Sequence, residues 1–90
     1  MRIAQITLGA GKTQLLLPQN VQYAQWITIQ NASATNTLQV GDSSVTATTG
    51  IQLNIGQSLT ITAPVDGVML LGEYWFYGTS GQLVNIMYVG

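Results

Sequence analysis

Short segments in which apolar and polar residues alternate dominate this chain, and clusters of turn-forming residues separate them. Residues 51–55 and 58–63 alternate without a fault, and residues 2–8 place Ala4, Ile6 and Leu8 on one face. A repeat of two residues is that of a half-buried β-strand, and no segment shows the spacing of an amphipathic helix. The chain is therefore predicted to be all β. Shorter strands are predicted at residues 13–17, 37–40 and 44–48.

Turn sequences recur about every 8 to 12 residues, the spacing that is typical of β-sandwiches and barrels. They lie at residues 9–12, 18–20, 31–36, 41–42, 49–50, 56–57, 64–67 and 78–81. Gly, Asn and Asp tolerate positive φ there, and Pro removes a ladder donor. The pattern predicts an antiparallel β-sandwich of about seven to nine short strands, for which a jelly roll is one fitting arrangement. Residues 1–90 are predicted to form a single domain.

Three longer segments depart from simple alternation. Trp26 falls on the otherwise polar face of a strand predicted over residues 21–30. Residues 68–77 and 83–89 are apolar on both faces. The turn sequence at 78–81 predicts that these last two strands form a hairpin.

One face of the predicted hairpin fills the core, and the other needs a cover. A third layer, a crossing loop or partial exposure is one explanation. A subunit interface is the other, because interface cores are rich in aromatic residues and Met and poor in charge. Trp26 is expected at the domain surface, covered by a neighbouring chain. The residues predicted at an assembly interface are Trp26, Met69, Leu71, Trp75, Tyr77 and Tyr88.

Charge is unusually sparse. Only 6% of residues are charged and the net charge is −1, whereas about 25% of residues are charged in an average soluble domain. No basic patch exists to replace the counterions of a phosphate backbone, so nucleic-acid binding is not expected. No apolar run is long enough for a membrane span, and the first residues lack the apolar region of a signal peptide. An apolar content of 47% with so little charge favours a chain that packs against neighbours.

Candidate catalytic groups are few. The chain has no His and no Cys, so a serine nucleophile lacks its usual base, and neither a metal site nor a cofactor is expected. Asp42 and Asp66 lie in turn sequences, where Asp caps the local backbone. Glu73 lies in a predicted apolar strand, where it pairs with Arg2 or Lys12 or faces a subunit boundary. The chain is therefore predicted not to be an enzyme.

Two short motifs are interpreted as turns. Residues 9–13 read like the end of a phosphate-binding loop, but Ile6 stands where the first glycine of that motif is required. A hairpin turn is predicted there instead. Residues 31–33 fit a glycosylation sequon, which is interpreted as a chance match within a turn.

Residues 37–88 resemble a group of short structural proteins of tailed bacteriophages. The resemblance rests on Leu-Gln-Val-Gly-Asp at 38–42, Leu-Asn-Ile-Gly-Gln-Ser-Leu-Thr-Ile at 53–61, the aromatic run at 74–77, and Gly-Thr-Ser-Gly at 78–81 before a final strand. It implies a virion component made in the host cytoplasm, such as a capsid decoration (cement) protein or a head-fibre or spike piece. It also implies partners: further copies of the chain, with a trimer favoured by analogy, and the major capsid protein or another virion protein. It brings no catalytic residues.

Two other classes of function stay open beside capsid decoration. One is a carbohydrate- or receptor-binding module of a phage spike or tail fibre, in which Trp26, Tyr74, Trp75 and Tyr77 would form a stacking platform. The other is a host protein with an unrelated assembly function.

Overall fold

The structure is a computed structural model that describes residues 2–17, 23–63, 67 and 69–89. Its strands are β1 (Arg2–Thr7), β2 (Gly11–Gln14), β3 (Tyr23–Ala24), β4 (Trp26–Asn31), β5 (Leu38–Gly41), β6 (Ile51–Leu53), β7 (Ser58–Thr62), β8 (Met69–Leu70), β9 (Trp75–Gly78) and β10 (Leu83–Val89). A 3₁₀ turn occupies Leu71–Glu73. The predicted turn at 18–20, most of the turn at 64–67, and Asp66 lie outside the described residues.

The strands pair in a nested order, as in one long hairpin. β1 pairs with β10, β2 with β9, β3 with β8, β4 with β7, and β5 with β6, all antiparallel. This long hairpin is rolled up, because β10 also pairs with β4 and β9 also pairs with β5. The result is a first sheet of order β1-β10-β4-β7 and a second sheet of order β2-β9-β5-β6. Two four-stranded antiparallel sheets connected in this way form a jelly roll.

The core lies between the two sheets and consists of the inward side chains of both. In the first sheet Ile27, Ile29, Val84 and Ile86 are almost fully buried, and Phe76 faces them from the second sheet. The predicted face of β1 is confirmed, since Ala4 and Leu8 are buried and Ile6 packs against the cluster. Each large apolar side chain buried in this way contributes about 1.5–3 kcal/mol of transfer free energy.

The prediction that residues 68–89 form a hairpin is wrong. β9 lies in the second sheet and β10 in the first, so the turn at 78–81 crosses between sheets. Its backbone bonds to the end of β1 instead: Gly81 N–H donates to Leu8 O at 2.8 Å, and Leu8 N–H donates to Gln82 O at 2.9 Å. The turn at 9–12 likewise connects different sheets and is no hairpin.

Two predicted strands are broken, and each break changes which side chains face the core. The 3₁₀ turn separates β8 from β9, so Leu71 and Phe76 are both buried although strict alternation places them on opposite faces. Gln25 separates β3 from β4, so Ala24 is buried and Tyr23 is exposed, the reverse of the predicted phase.

Residues 44–48 form a loop and not the predicted strand. The hydroxyls of Thr46 and Thr49 bond to each other at 2.7 Å. Each hydroxyl also accepts from the backbone N–H of the other residue at 3.1 Å. Such local side-chain bonds compete with ladder formation. The loop folds back on the outer side of the second sheet, where buried Val45 packs 3.3 Å from the position that a Cβ on Gly41 would take.

A buried polar cluster ties three loops together at one end of the sandwich. The Asn31 amide, which is fully buried, donates to Asn36 O at 2.8 Å and to Leu53 O at 3.1 Å. Its Oδ1 accepts from Ser33 N–H at 3.1 Å and from Gln82 Nε2 at 3.0 Å. The Asn31 side chain is thus a structural element of the loop cluster, in keeping with a chance sequon match.

Candidate functional site

The six residues predicted at an assembly interface do not form one surface. The prediction is wrong for Leu71 and Tyr88, which are 1% and 4% exposed and belong to the chain's own core. Trp75 and Tyr77 lie half-buried on the outer side of the second sheet, and Trp26 lies half-buried at the start of β4 in the first. The side chain of Met69 lies outside the described part of the chain.

Trp26 lies on the outward side of its strand, as predicted. Ile27 and Ile29 point into the core, and Trp26 is partly exposed while its ring also packs against the core cluster. The four aromatic residues of the predicted sugar platform, however, are divided among different surfaces. Trp75 and Tyr77 share one side of β9, Trp26 belongs to the opposite sheet, and Tyr74 packs against the core.

The outer side of the first sheet is an uncovered and uncharged surface, which we call the open face. Every described outward position on its four strands is uncharged. These positions are Ile3, Gln5, Thr7, Trp26, Thr28, Gln30, Ser58, Thr60, Thr62, Leu83, Asn85, Met87 and Val89. The open face contains a shallow depression of about 370 Å³, bordered by Ile3, Thr28 and Met87 among others.

Cross-strand register sorts the open face into an apolar part and a polar part. Ile3 lies opposite Met87, and Trp26 lies opposite Val89. One row further along, the amides form a chain that crosses the sheet. Gln5 Nε2 donates to Asn85 Oδ1 at 3.0 Å, and Asn85 Nδ2 donates to Gln30 Oε1 at 3.3 Å.

An apolar cleft opens where the edges of the two sheets meet, and we call it the edge cleft. It has a volume of about 240 Å³, and its walls include Ile51, Leu59, Ile61 and Tyr74. Ile51 has the inward phase of β6, yet it is 56% exposed. The edge cleft therefore leaves core-type side chains uncovered.

Two carboxylates, Asp42 and Glu73, line the same edge cleft. Both are exposed. The Ser44 hydroxyl and N–H both donate to Asp42 Oδ1, and these bonds hold the pKa of Asp42 below its usual value. The predicted capping role of Asp42 is confirmed. Glu73 lies in the 3₁₀ turn and not in a strand.

The outer side of the second sheet is partly covered by the loop at 42–50. Lys12 fastens this loop, since its Nζ donates to the carbonyl oxygen of Ser43 and lies 5.7 Å from the centre of the Trp75 ring. Such a contact of a cation with an aromatic face is attractive. Lys12 therefore stabilises the local structure. In the same segment, which reads like the end of a phosphate-binding loop, Gly9 N–H donates to Thr13 Oγ1 at 3.0 Å, as in an ordinary turn.

Within the described ranges, no three or more His, Cys, Asp or Glu residues are grouped so that they could hold a metal ion. The same part of the chain contains no helix that is long and apolar enough to cross a membrane.

The open face and the edge cleft were not identified from the sequence. Alternation shows which residues of β1, β4, β7 and β10 share a side, but it does not show that these strands share a sheet. The uncharged residues on the outward side of each of these strands were the feature of the sequence that could have indicated an uncharged surface. Comparisons with protein-family models, curated proteins and solved structures find no match.

Proposed function

We propose that the protein is a non-enzymatic structural component of a phage virion, and that it decorates the capsid by binding the major capsid protein through the open face. The observation that carries this proposal is the open face itself, on which no described outward side chain is charged. Burying such a face costs no desolvation of ions, and its apolar part and amide row match the mixed composition of protein–protein interfaces.

The dimensions of the open face favour many weak contacts over one strong contact. Four strands about 4.8 Å apart and about 20 Å long give an area of about 400 Å². A standard stable interface buries about 800 Å² on each partner. Copies that are joined in an oligomer compensate for weak single sites, because linked binding events raise the effective concentration.

Self-association is the second part of the proposal. The edge cleft leaves Ile51, Leu59 and Ile61 partly exposed although they have the inward phase of a core. A second copy that covers this cleft removes apolar area from water, provided that Asp42 and Glu73 in the same cleft keep their contact with solvent. A head-to-tail contact of this kind closes into a ring, and a trimer is favoured by analogy with decoration proteins. The jelly-roll architecture also occurs in viral capsid and lectin domains, which supports the proposal by analogy only.

The proposal is tested by adding purified protein back to particles of the phage that encodes it, assembled without it, and measuring co-sedimentation. Ile3→Glu places a charge on the open face at a position that is 76% exposed. Leu16→Glu is the matched control, because Leu16 is 68% exposed and lies outside the open face. Burying one unpaired carboxylate is costly, so we expect Ile3→Glu to weaken binding at least about tenfold.

Leu16→Glu is expected to bind like the wild type. If wild-type protein does not sediment with the particles, the decoration role is wrong. Equal binding by Ile3→Glu and the wild type would assign the contact to another surface.

A further inference from the structure

The outer edge of β7 exposes backbone hydrogen-bonding groups. β7 is the last strand of the first sheet, and no described strand lies beyond it. At one end of the strand Asn31 N–H donates to Gln57 O at 3.0 Å. At the other end Ala63 N–H donates to Gln25 O at 2.8 Å. Because the backbone groups of successive residues in a strand point to opposite sides, the odd-numbered residues of β7 bond to β4. The backbone groups of the even-numbered residues point away from the sheet, and these residues are Ser58, Thr60 and Thr62.

β7 has none of the features that protect exposed strand edges from pairing. Such edges usually contain a charged residue, a proline or a bulge. Ser58–Thr62 contains no charge, no Pro and no Gly, and it pairs with β4 without an interruption. Its two inward side chains, Leu59 and Ile61, are only half-buried. A second strand at this edge removes further apolar area of both side chains from water.

The sequence of β7 is nearly symmetric about Thr60. It reads Ser-Leu-Thr-Ile-Thr, so a second β7 in antiparallel orientation places polar residues opposite polar ones and apolar residues opposite apolar ones. With Thr60 opposite Thr60 of the second copy, Ser58 lies opposite Thr62, and these pairs exchange backbone hydrogen bonds. Pairs of Thr and Ser side chains across strands are favourable. Leu59 then lies opposite Ile61 on the inner side, where the edge clefts of the two copies meet.

We infer that the protein pairs through β7 with a second copy about a two-fold axis at Thr60, so that the two first sheets become one sheet of eight strands. The inference rests on the proposed self-association at the edge cleft and differs from the ring in symmetry, because a two-fold contact closes at two copies. Its hydrogen bonds come from the first sheet, whereas Asp42 and Glu73 line the cleft from segments that adjoin β5 and β9 of the second sheet. The pairing therefore does not require these carboxylates to be buried.

The pair also enlarges the open face. The two-fold axis between antiparallel neighbours is perpendicular to the sheet, so both open faces point to the same side. Their combined area is about 800 Å², twice that of one copy. This is about the area that each partner buries in a standard stable interface. The pair thus has one continuous surface on which no described outward side chain is charged.

The first test is the mass of the full chain in solution, measured by sedimentation equilibrium up to high micromolar concentration. We expect the mass of two chains. The mass of three chains overturns the two-fold pair and leaves the ring in place. A monomer overturns both the pair and the proposed self-association. Neither outcome bears on particle binding, which co-sedimentation measures separately.

Thr60→Pro tests the edge of β7. The N–H of Thr60 points away from β4, so proline removes a donor that only the second copy uses. We expect the dissociation constant of the pair to rise at least about tenfold. Gln5→Pro is the matched control, because Gln5 N–H points outward from β1 at the opposite edge of the same sheet, as the bond from Leu8 N–H to Gln82 O shows. Gln5→Pro is expected to pair like the wild type, and equal dissociation constants for the two variants overturn the inference.

A charge exchange tests the register and does not depend on a proline. Thr60 is exposed, so Thr60→Lys and Thr60→Glu are expected to fold. In the two-fold pair residue 60 lies opposite residue 60 of the other copy, so like charges repel within either variant. We expect each variant alone to have a dissociation constant raised about threefold or more, and an equimolar mixture to form mixed pairs more tightly than either. A mixture that pairs no better than the separate variants overturns the two-fold contact at Thr60.

Discussion

At the scale of single residues, the amide side chains have contrasting environments. The amides of Gln5, Gln30 and Asn85 bond to one another at the surface, where water is an equivalent partner. The amide of Asn31 is fully buried and is satisfied by Asn36 O, Leu53 O, Ser33 N–H and Gln82 Nε2. Since removing one member of a buried cluster leaves its partners without hydrogen bonds, Asn31 is expected to matter for stability and Gln30 is not.

Asn31→Ala is predicted to lower the free energy of unfolding by about 2–4 kcal/mol, because several buried groups lose a partner at once. Its neighbour Gln30, which is exposed and points to the open face, is the control. Gln30→Ala is expected to change the free energy of unfolding by less than about 0.5 kcal/mol. Denaturant titration measures both. Equal losses for the two variants would contradict the structural role of Asn31.

At the scale of elements, the pairing of strands is set by contacts distant in sequence. β1 pairs along its whole length with β10, although the two strands are far apart in the sequence. The turn at 78–81 has the composition of a hairpin loop, yet it joins two sheets. A strand with one buried face can bury that face in either sheet. The hydrophobic pattern therefore does not determine which sheet a strand joins, and the nested pairing of the strands does.

Prediction from the sequence succeeded where the information is local. Alternation identified β6 and β7 and the buried face of β1, and turn spacing identified the sandwich. It failed where an interruption of a strand changes which side chains point inward, as at Gln25 and at the 3₁₀ turn. No Gly or Pro marks the start of either interruption. The candidate surfaces depend on which strands become neighbours, and a pattern within one strand does not contain that information.

The phase change at the 3₁₀ turn yields a paired prediction. Leu71 is 1% exposed and Leu70 is 41% exposed. Leu71→Ala is expected to lower the free energy of unfolding by about 2–5 kcal/mol through the cavity that it creates. Leu70→Ala is expected to cost less than about 1 kcal/mol, because less apolar area is lost from the core. Thermal or denaturant unfolding compares them, and a larger loss for Leu70→Ala would contradict the described phase.

At the scale of the whole molecule, the sparse charge and the edge cleft predict self-association. Ile51 lies at the cleft and is 56% exposed, whereas Ile55 lies in the following turn and is 54% exposed. Ile51→Asp is expected to raise the dissociation constant of the oligomer at least about tenfold, and Ile55→Asp is expected to leave it unchanged. Light scattering over a concentration series measures both. A wild-type chain that stays monomeric at high micromolar concentration would contradict this prediction.

The proposed decoration of a phage capsid is tested most directly by the temperature at which particles lose their genome. Particles assembled without the protein are expected to release their genome at a lower temperature, and to resist a chelator less, than wild-type particles. Adding the wild-type chain is expected to restore both properties, whereas Ile3→Glu is not. Particles that lack the protein and still match the wild type in heat and chelator resistance would contradict the decoration role, and a receptor-binding role would then become the leading proposal.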